Sequence, residues 1–235
     1  MDYSSLVINI IVAIIPSIIL CYYVYENDIV EKEPIKMLFM LFFLGVLITV
    51  PASFMEKAVI SSTNINENGL LNCFILSFLI VGLIEEGYKF LIVYLGTWKN
   101  KNFNHKYDAI VYAVFVSLGF ATLENILYII RSGTEIALLR GVLSVPAHAF
   151  YAVASGYYLG LAKKCTLCDL KSKSIMYKIL ALLVPVLLHG TFDFLLLTNN
   201  ETLFGIFYCF VACLYIISYT YIKKVSKTKM MIDKQ

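Results

Sequence analysis

The sequence predicts an all-α, polytopic membrane protein of about seven transmembrane helices, with its N-terminus outside and its C-terminus cytoplasmic. Three observations carry this reading. Of the 235 residues, 60% are hydrophobic and only 15% charged, and the mean hydropathy is +0.80, whereas a globular chain is roughly 45 to 50% apolar. Apolar runs of about 20 residues, enough to cross roughly 30 Å of hydrocarbon, recur along the chain. Lysine and arginine concentrate in alternate connections.

The runs fall near Leu6 to Tyr25, Ile35 to Met55, Leu70 to Thr97, Ala109 to Ile130, Ile136 to Ala162, Ile175 to Leu197 and Leu203 to Ile222. None alternates strictly with a period of two, which argues against a transmembrane barrel. Helices remain, because a backbone in lipid must satisfy its own polar groups. Met1 to Ser5, ahead of the first run, lacks a basic residue and carries Asp2, so the run reads as a retained helix rather than a cleaved signal peptide. The loops are short, with no internal repeat and no polar linker. The chain is therefore expected to be a single integral-membrane domain over 1–235, with a motif-bearing core at about 70–197.

One set of connections holds Lys32, Lys36, Lys99, Lys101, Lys106, Lys163, Lys164, Lys171 and Lys173, with the tail residues Lys223, Lys224, Lys227, Lys229 and Lys234; the other holds Lys57 and Arg131. Basic residues stay on the cytoplasmic side, which sets the orientation and places the protein in a cell membrane, in contact with anionic lipid. The net charge of +3 is thus a topology signal, and nothing in the pattern suits nucleic acid as a partner. Cys21, Cys73, Cys209 and Cys213 lie in apolar runs and act as small hydrophobes. Cys165 and Cys168 form a lone CxxC, half of a metal or redox site, and are read as two reduced loop thiols.

The chemistry is carried by the ionisable residues within the runs. Each such group costs about 2.5 to 3.5 kcal/mol at membrane depth, and Glu85, Glu86, Glu124, Asp193, His148 and His189 all interrupt apolar helices. In Glu85-Glu86-Gly87-Tyr88-Lys89, Glu85 and Lys89 stand four apart and can pair on one face. Glu86 points about a quarter turn away without a partner in its own helix, which suits a general base. The fourth run carries Phe120 and Glu124-Asn125; the fifth carries Arg140 and Pro146-Ala147-His148, where proline frees a carbonyl and opens the helix. In the sixth, past Pro185, His189 and Asp193 share a face. Lys89 and Arg140 do not balance four carboxylates, so a proton or metal cation is expected to complete the set. Buried carboxylates and histidines also serve proton- or ion-coupled transporters, the alternative class, although the repeated halves common in transporters are absent.

These motifs, EExxK at Glu85, Glu86 and Lys89, FxxxE at Phe120 and Glu124, Arg140 with PxH at Pro146 and His148, and HxxxD at His189 and Asp193, resemble in type and order those of the PrsW family of bacterial intramembrane proteases. The wider group includes the type II CAAX-processing proteases. Those usually carry EExxxR and FxxxH instead, so a prenyl-protein endoprotease is the less favoured alternative. The resemblance implies an endopeptidase that makes the first, extracytoplasmic-side cut in a single-pass, membrane-anchored anti-sigma factor, opening an envelope-stress response. Its catalytic residues would be Glu85, Glu86, His148 and His189, supported by Lys89, Phe120, Glu124, Asn125, Arg140 and Asp193. Two mechanisms stay open. In one, Glu124, His148 and His189 hold Zn2+, with Asp193 behind them or as a ligand; in the other a glutamate activates water without metal. No serine or cysteine in these motifs has a base beside it, so a covalent nucleophile is not expected.

Overall fold

A computed structural model describes residues 3–63, 65–132, 139–198 and 200–228. The apolar runs become α1 (Tyr3–Glu26), α2 (Ile35–Thr63), α3 (Leu70–Phe74), a π-helix (Ile75–Gly82), α4 (Leu83–Thr97), α5 (Lys106–Ser132), α6 (Ser144–Leu167), α7 (Lys171–Leu197) and α8 (Glu201–Val225). No strand occurs among the described residues. Five helical stretches are long and apolar enough to cross a membrane: α2, α3 through α4 with the π-helix between them, α5, α7 and α8. Two other expected spans correspond to α1, of which Ile10–Glu26 forms a shorter apolar helix, and to the more polar α6. The start of the expected fifth span at Ile136, and Lys229 and Lys234, lie outside the described residues.

Local chemistry sets the ends. Pro34 precedes α2 and offers its carbonyl to the amides of Met37 and Leu38, as suits a residue that has no N–H to lose. Asp108, in the first turn of α5, accepts the amides of Asn104 and His105 at 2.8 and 2.6 Å, which ties the turn ahead of the helix to its start. Gly69 opens α3 with φ of 88°, backbone that glycine adopts without cost.

Two prolines inside the bundle have their lost hydrogen bonds replaced from neighbouring helices. Pro185 of α7 leaves the Ala181 carbonyl free, and Ser155 of α6 donates to it at 2.8 Å. Pro146 leaves the Val142 carbonyl free, and Tyr215 of α8 donates to it at 2.5 Å. The fifth span is not one helix opened at its middle, as the sequence suggested. Residues 139–142 are helical, Leu143 turns, and α6 begins at Ser144, so Pro146 sits in a first turn, where proline is tolerated.

α5 is the central helix: Ala109, Ile110, Val111, Tyr112, Val114, Val116 and Leu118 have no exposure on any face. It packs on α1, α2, α4 and α6, while α6 also packs on α7 and α8. Around this core α2 and α8 turn Phe39, Phe43, Phe54, Tyr208 and Ile216 outward, as a lipid-facing surface requires. α6 meets α5 backbone to backbone through Gly156 and Gly160, where an added Cβ would stand 2.5 Å and 2.9 Å from the carbonyl oxygens of Ala109 and Lys106. Such close crossings suit small residues.

Gly156→Ala is therefore expected to lower the thermal unfolding midpoint in detergent, at a cost of about 1 to 3 kcal/mol from overpacking. Gly205→Ala, where nothing lies within 4 Å of the new Cβ, should leave the midpoint unchanged or raise it, since alanine is the better helix former. Equal midpoints for the two variants would show that the α5–α6 crossing is not tight.

Candidate active site

The ionisable residues of four helices meet in the bundle interior. Lys89 of α4 donates to Glu85 Oε2 at 2.9 Å and to Glu86 Oε1 at 2.8 Å, and its ammonium lies 3.1 Å from His148 Nδ1 of α6. Glu86 is thus not without a partner in its own helix, as its position suggested, because residues three apart are neighbours as well as residues four apart. The Lys89 ammonium also stands 4.2 Å from the centre of the Phe120 ring, a favourable approach for a cation.

His148 bridges two carboxylate groups through this lysine. An ammonium has only protons to give, so Nδ1 accepts and Nε2 carries the hydrogen donated to Glu124 Oε2 at 2.9 Å. The other oxygen of Glu124 receives Arg140 Nη2 at 2.7 Å, and the guanidinium lies 3.7 Å from the Tyr128 ring. His189 of α7 donates from Nδ1 to Glu86 Oε1 at 2.9 Å, with Nε2 3.4 Å from Asp193 Oδ2. The two imidazoles are 5.2 Å apart, edge to face.

Ligand atoms of Glu85, Glu86, His148 and His189 all lie within 4.8 Å of one another, and all four residues are buried. Two imidazole nitrogens and two carboxylates are a donor set that zinc accepts. The Lys89 ammonium, within hydrogen-bonding distance of three of these residues, shows that the group already gathers around positive charge. Glu124 stands outside this foursome, on the far nitrogen of His148. Asn125 turns away altogether: its side-chain nitrogen reaches the Ala13 carbonyl of α1 at 3.4 Å, since adjacent helical positions differ by about 100°.

A cavity of about 390 Å³ reaches the cluster, lined by Glu85, Glu124, Arg140, His148, His189 and Asp193. Glu86 is not in its wall; it lies behind His189. From the cluster the cavity runs past Lys57 and Ile60 to Glu67 and Leu197, residues at the end of the bundle opposite the lysine-rich loops. Two further residues line it that sequence reasoning missed. Glu56 has a buried Oε1 without a hydrogen-bond partner; it lies one residue beyond the apolar run that ends at Met55, in the part of α2 that continues to Thr63. Tyr151 stacks on His189 with ring centres 5.0 Å apart, and its buried hydroxyl has no partner. The available signal was its position three residues after His148, on the same helical face.

The family profile described as PrsW family intramembrane metalloprotease matches residues 33–220. The chain belongs to the PrsW family. It is 40% identical over 183 residues to a protein named Protease PrsW from Bacillus subtilis, covering 78% of this chain and 80% of that one. A Clostridioides difficile protein of the same name is 37% identical over 191 residues, 80% and 78% of the two chains. One from Shouchella clausii is 33% identical over 218 residues, 93% and 97% of the two. No solved structure matches the chain. Membership of the PrsW family makes this chain an intramembrane protease and a multi-pass protein of the bacterial cell membrane, and favours the enzyme over the transporter. The family description as a metalloprotease agrees with the donor chemistry of the buried foursome.

Because Lys89 compensates two buried carboxylates at once, Lys89→Met should destabilise the protein by about 3 to 5 kcal/mol, the cost of stranding buried charge. The thermal midpoint in detergent should fall accordingly. Adding Glu85→Gln should recover part of the loss, since the two residues are coupled; strictly additive losses would contradict the pairing.

Proposed function

We propose that this chain makes the first, extracytoplasmic-side cut in a single-pass, membrane-anchored anti-sigma factor, by water activated at the Glu85–Glu86–His148–His189 cluster. The observation that carries the reading is the cavity joining that cluster to the Glu67 and Leu197 end of the bundle, the end that the distribution of lysines assigns to the exterior. The resemblance of the four motifs supplies the substrate class.

The residues divide the work by position. Glu85 lines the cavity and takes the proton of the attacking water. Glu86, behind it, fixes the His189 ring through Nδ1 and anchors Lys89. Glu124 holds His148 and is itself held by Arg140. Glu86, His148 and His189 would hold the metal, for which we favour Zn2+, leaving Glu85 free as the base; when bound it would lower the pKa of water toward about 7 and polarise the scissile carbonyl. The Tyr151 hydroxyl, buried in the cavity wall without a partner, donates to the oxygen that gains charge in the transition state.

Purified protein in detergent, given a single-pass substrate, should yield a fragment that keeps the transmembrane segment joined to its cytoplasmic domain. Direct release of the soluble cytoplasmic domain would place the cut on the wrong side. Reporter fusions at Asn104, Ser172 and the C-terminus should read cytoplasmic, and those at Thr63 and Asn199 exterior. A cytoplasmic signal at Thr63 and Asn199 would invert the topology and remove the extracytoplasmic cut.

A further inference from the structure

A second carboxylate cluster lies away from the active site, where the loop between α1 and α2 meets the start of α5. Asp28, Glu33 and Asp108 are 3%, 3% and 0% exposed, and ligand oxygens from the three lie within 4.8 Å of one another. Their hydrogen bonds leave charge unanswered. Glu33 Oε2 accepts the Tyr112 hydroxyl at 2.6 Å, and Asp108 Oδ2 caps α5 through two amides. Asp28 Oδ2 and Asp108 Oδ1 are buried with no partner.

No lysine or arginine among the described residues lies within ion-pairing distance of the three carboxylates. Lys32, the nearest in sequence, donates to the Tyr25 carbonyl at 2.6 Å and pairs with Glu26. Lys223 donates to Asn27 Oδ1 at 2.8 Å.

An independent side chain points into the same place. His105 is 3% exposed, and neither ring nitrogen has a hydrogen-bond partner. Its Nδ1 faces Asp108 Oδ1 at 3.8 Å, too long for a hydrogen bond. Toward the surface, Glu31 Oε2 lies 3.9 Å from the same nitrogen and accepts the Asn104 amide at 3.1 Å. The Asn104 side-chain oxygen is a further buried acceptor without a donor. Buried acceptors without donors normally find a partner, and two of them on converging carboxylates, Asp28 Oδ2 and Asp108 Oδ1, with an unpartnered imidazole beside the second, call for a cation.

We infer that Asp28, Glu33 and Asp108, with His105 beside them, form a divalent-cation site that pins the α1–α2 loop to the start of α5. Three carboxylates make it a hard-oxygen site for Mg2+, Ca2+ or Mn2+ rather than a thiolate-type zinc site. The cation answers the charge that the capping bond of Asp108 leaves on Oδ1. It also crosslinks two segments separated in sequence by the whole of α2, α3, the π-helix and α4.

The site can be tested with Mn2+ on the purified full-length protein in detergent, bound ion being counted by electron paramagnetic resonance. The wild type should hold about one equivalent at this site, displaceable by excess Ca2+ or Mg2+, and its thermal midpoint should rise when Mn2+ is added. Asp28→Asn and Glu33→Gln spare the helix cap and should each abolish that equivalent and the rise in midpoint. His189→Ala, which alters only the other cluster, should retain both. Asp108→Asn is a weaker test because it also touches the cap. Absence of bound Mn2+ in the wild type, or unchanged binding in both loop variants, would overturn the proposal; so would a gain in metal-free stability by Glu33→Gln without any Mn2+ binding in the wild type, which would mean that the carboxylates share protons.

Discussion

Glu85→Gln is expected to lower cleavage of a single-pass membrane substrate by about a hundredfold or more, the loss that removal of a general base produces. The amide keeps the volume of the carboxylate but cannot accept a proton, and Lys89 retains its second acceptor, Glu86 Oε1, at 2.8 Å. The variant should therefore insert, fold and elute as the wild type does. Glu86→Gln should lose cleavage to a similar degree by a different route. Glu86 Oε1 receives both Lys89 and His189, so the change releases the imidazole and should also lower thermal stability. Near-normal turnover by both variants, measured in detergent on the same substrate, would eliminate the carboxylate base.

His148→Ala and His189→Ala should lose bound metal as well as activity. Each removes one of the nitrogen donors from the buried foursome, and two carboxylates already shared with Lys89 make a poor zinc site alone. Wild-type protein analysed by plasma mass spectrometry should carry about one zinc per chain, lose activity to a strong chelator and regain it with added Zn2+. Asp193→Asn, whose carboxylate stands 3.4 Å behind His189, should weaken the metal by about ten- to a hundredfold, the usual effect of losing a partner that orients a ligand. A metal-free preparation with full activity would leave Glu85 to activate water unaided.

Much of the fold could be read from local chemistry. The helices occupy the apolar runs, and their ends follow Pro34, Gly69 and the cap at Asp108. The pairing of Lys89 with Glu85 follows from a spacing of four, and that of His189 with Asp193 likewise. Less legible was the break before α6. Pro146 marks it, but whether a proline bends a helix or begins one depends on whether a neighbour such as Tyr215 takes the carbonyl it frees. The π-helix at Ile75–Gly82 left no signal either. In a run that is apolar on every face, a change from α to π winding alters no hydrophobic period, yet it rotates everything that follows, including Glu85 and Glu86.

By itself the sequence determined the membrane class, the helical architecture and the residues that carry chemistry, because each depends on composition or on spacing along one helix. The partnerships between helices were decided only by tertiary structure. Glu86 meets His189 and His148 meets Glu124 through contacts spanning 103 and 24 residues, while Asn125, next to Glu124, faces α1. Glu56 enters the cavity from a helix that carries none of the motifs. A side chain's direction changes by about 100° with each residue, so helix rotation and crossing, fixed by contacts such as Gly156 against Ala109, select which of several buried carboxylates share a single point.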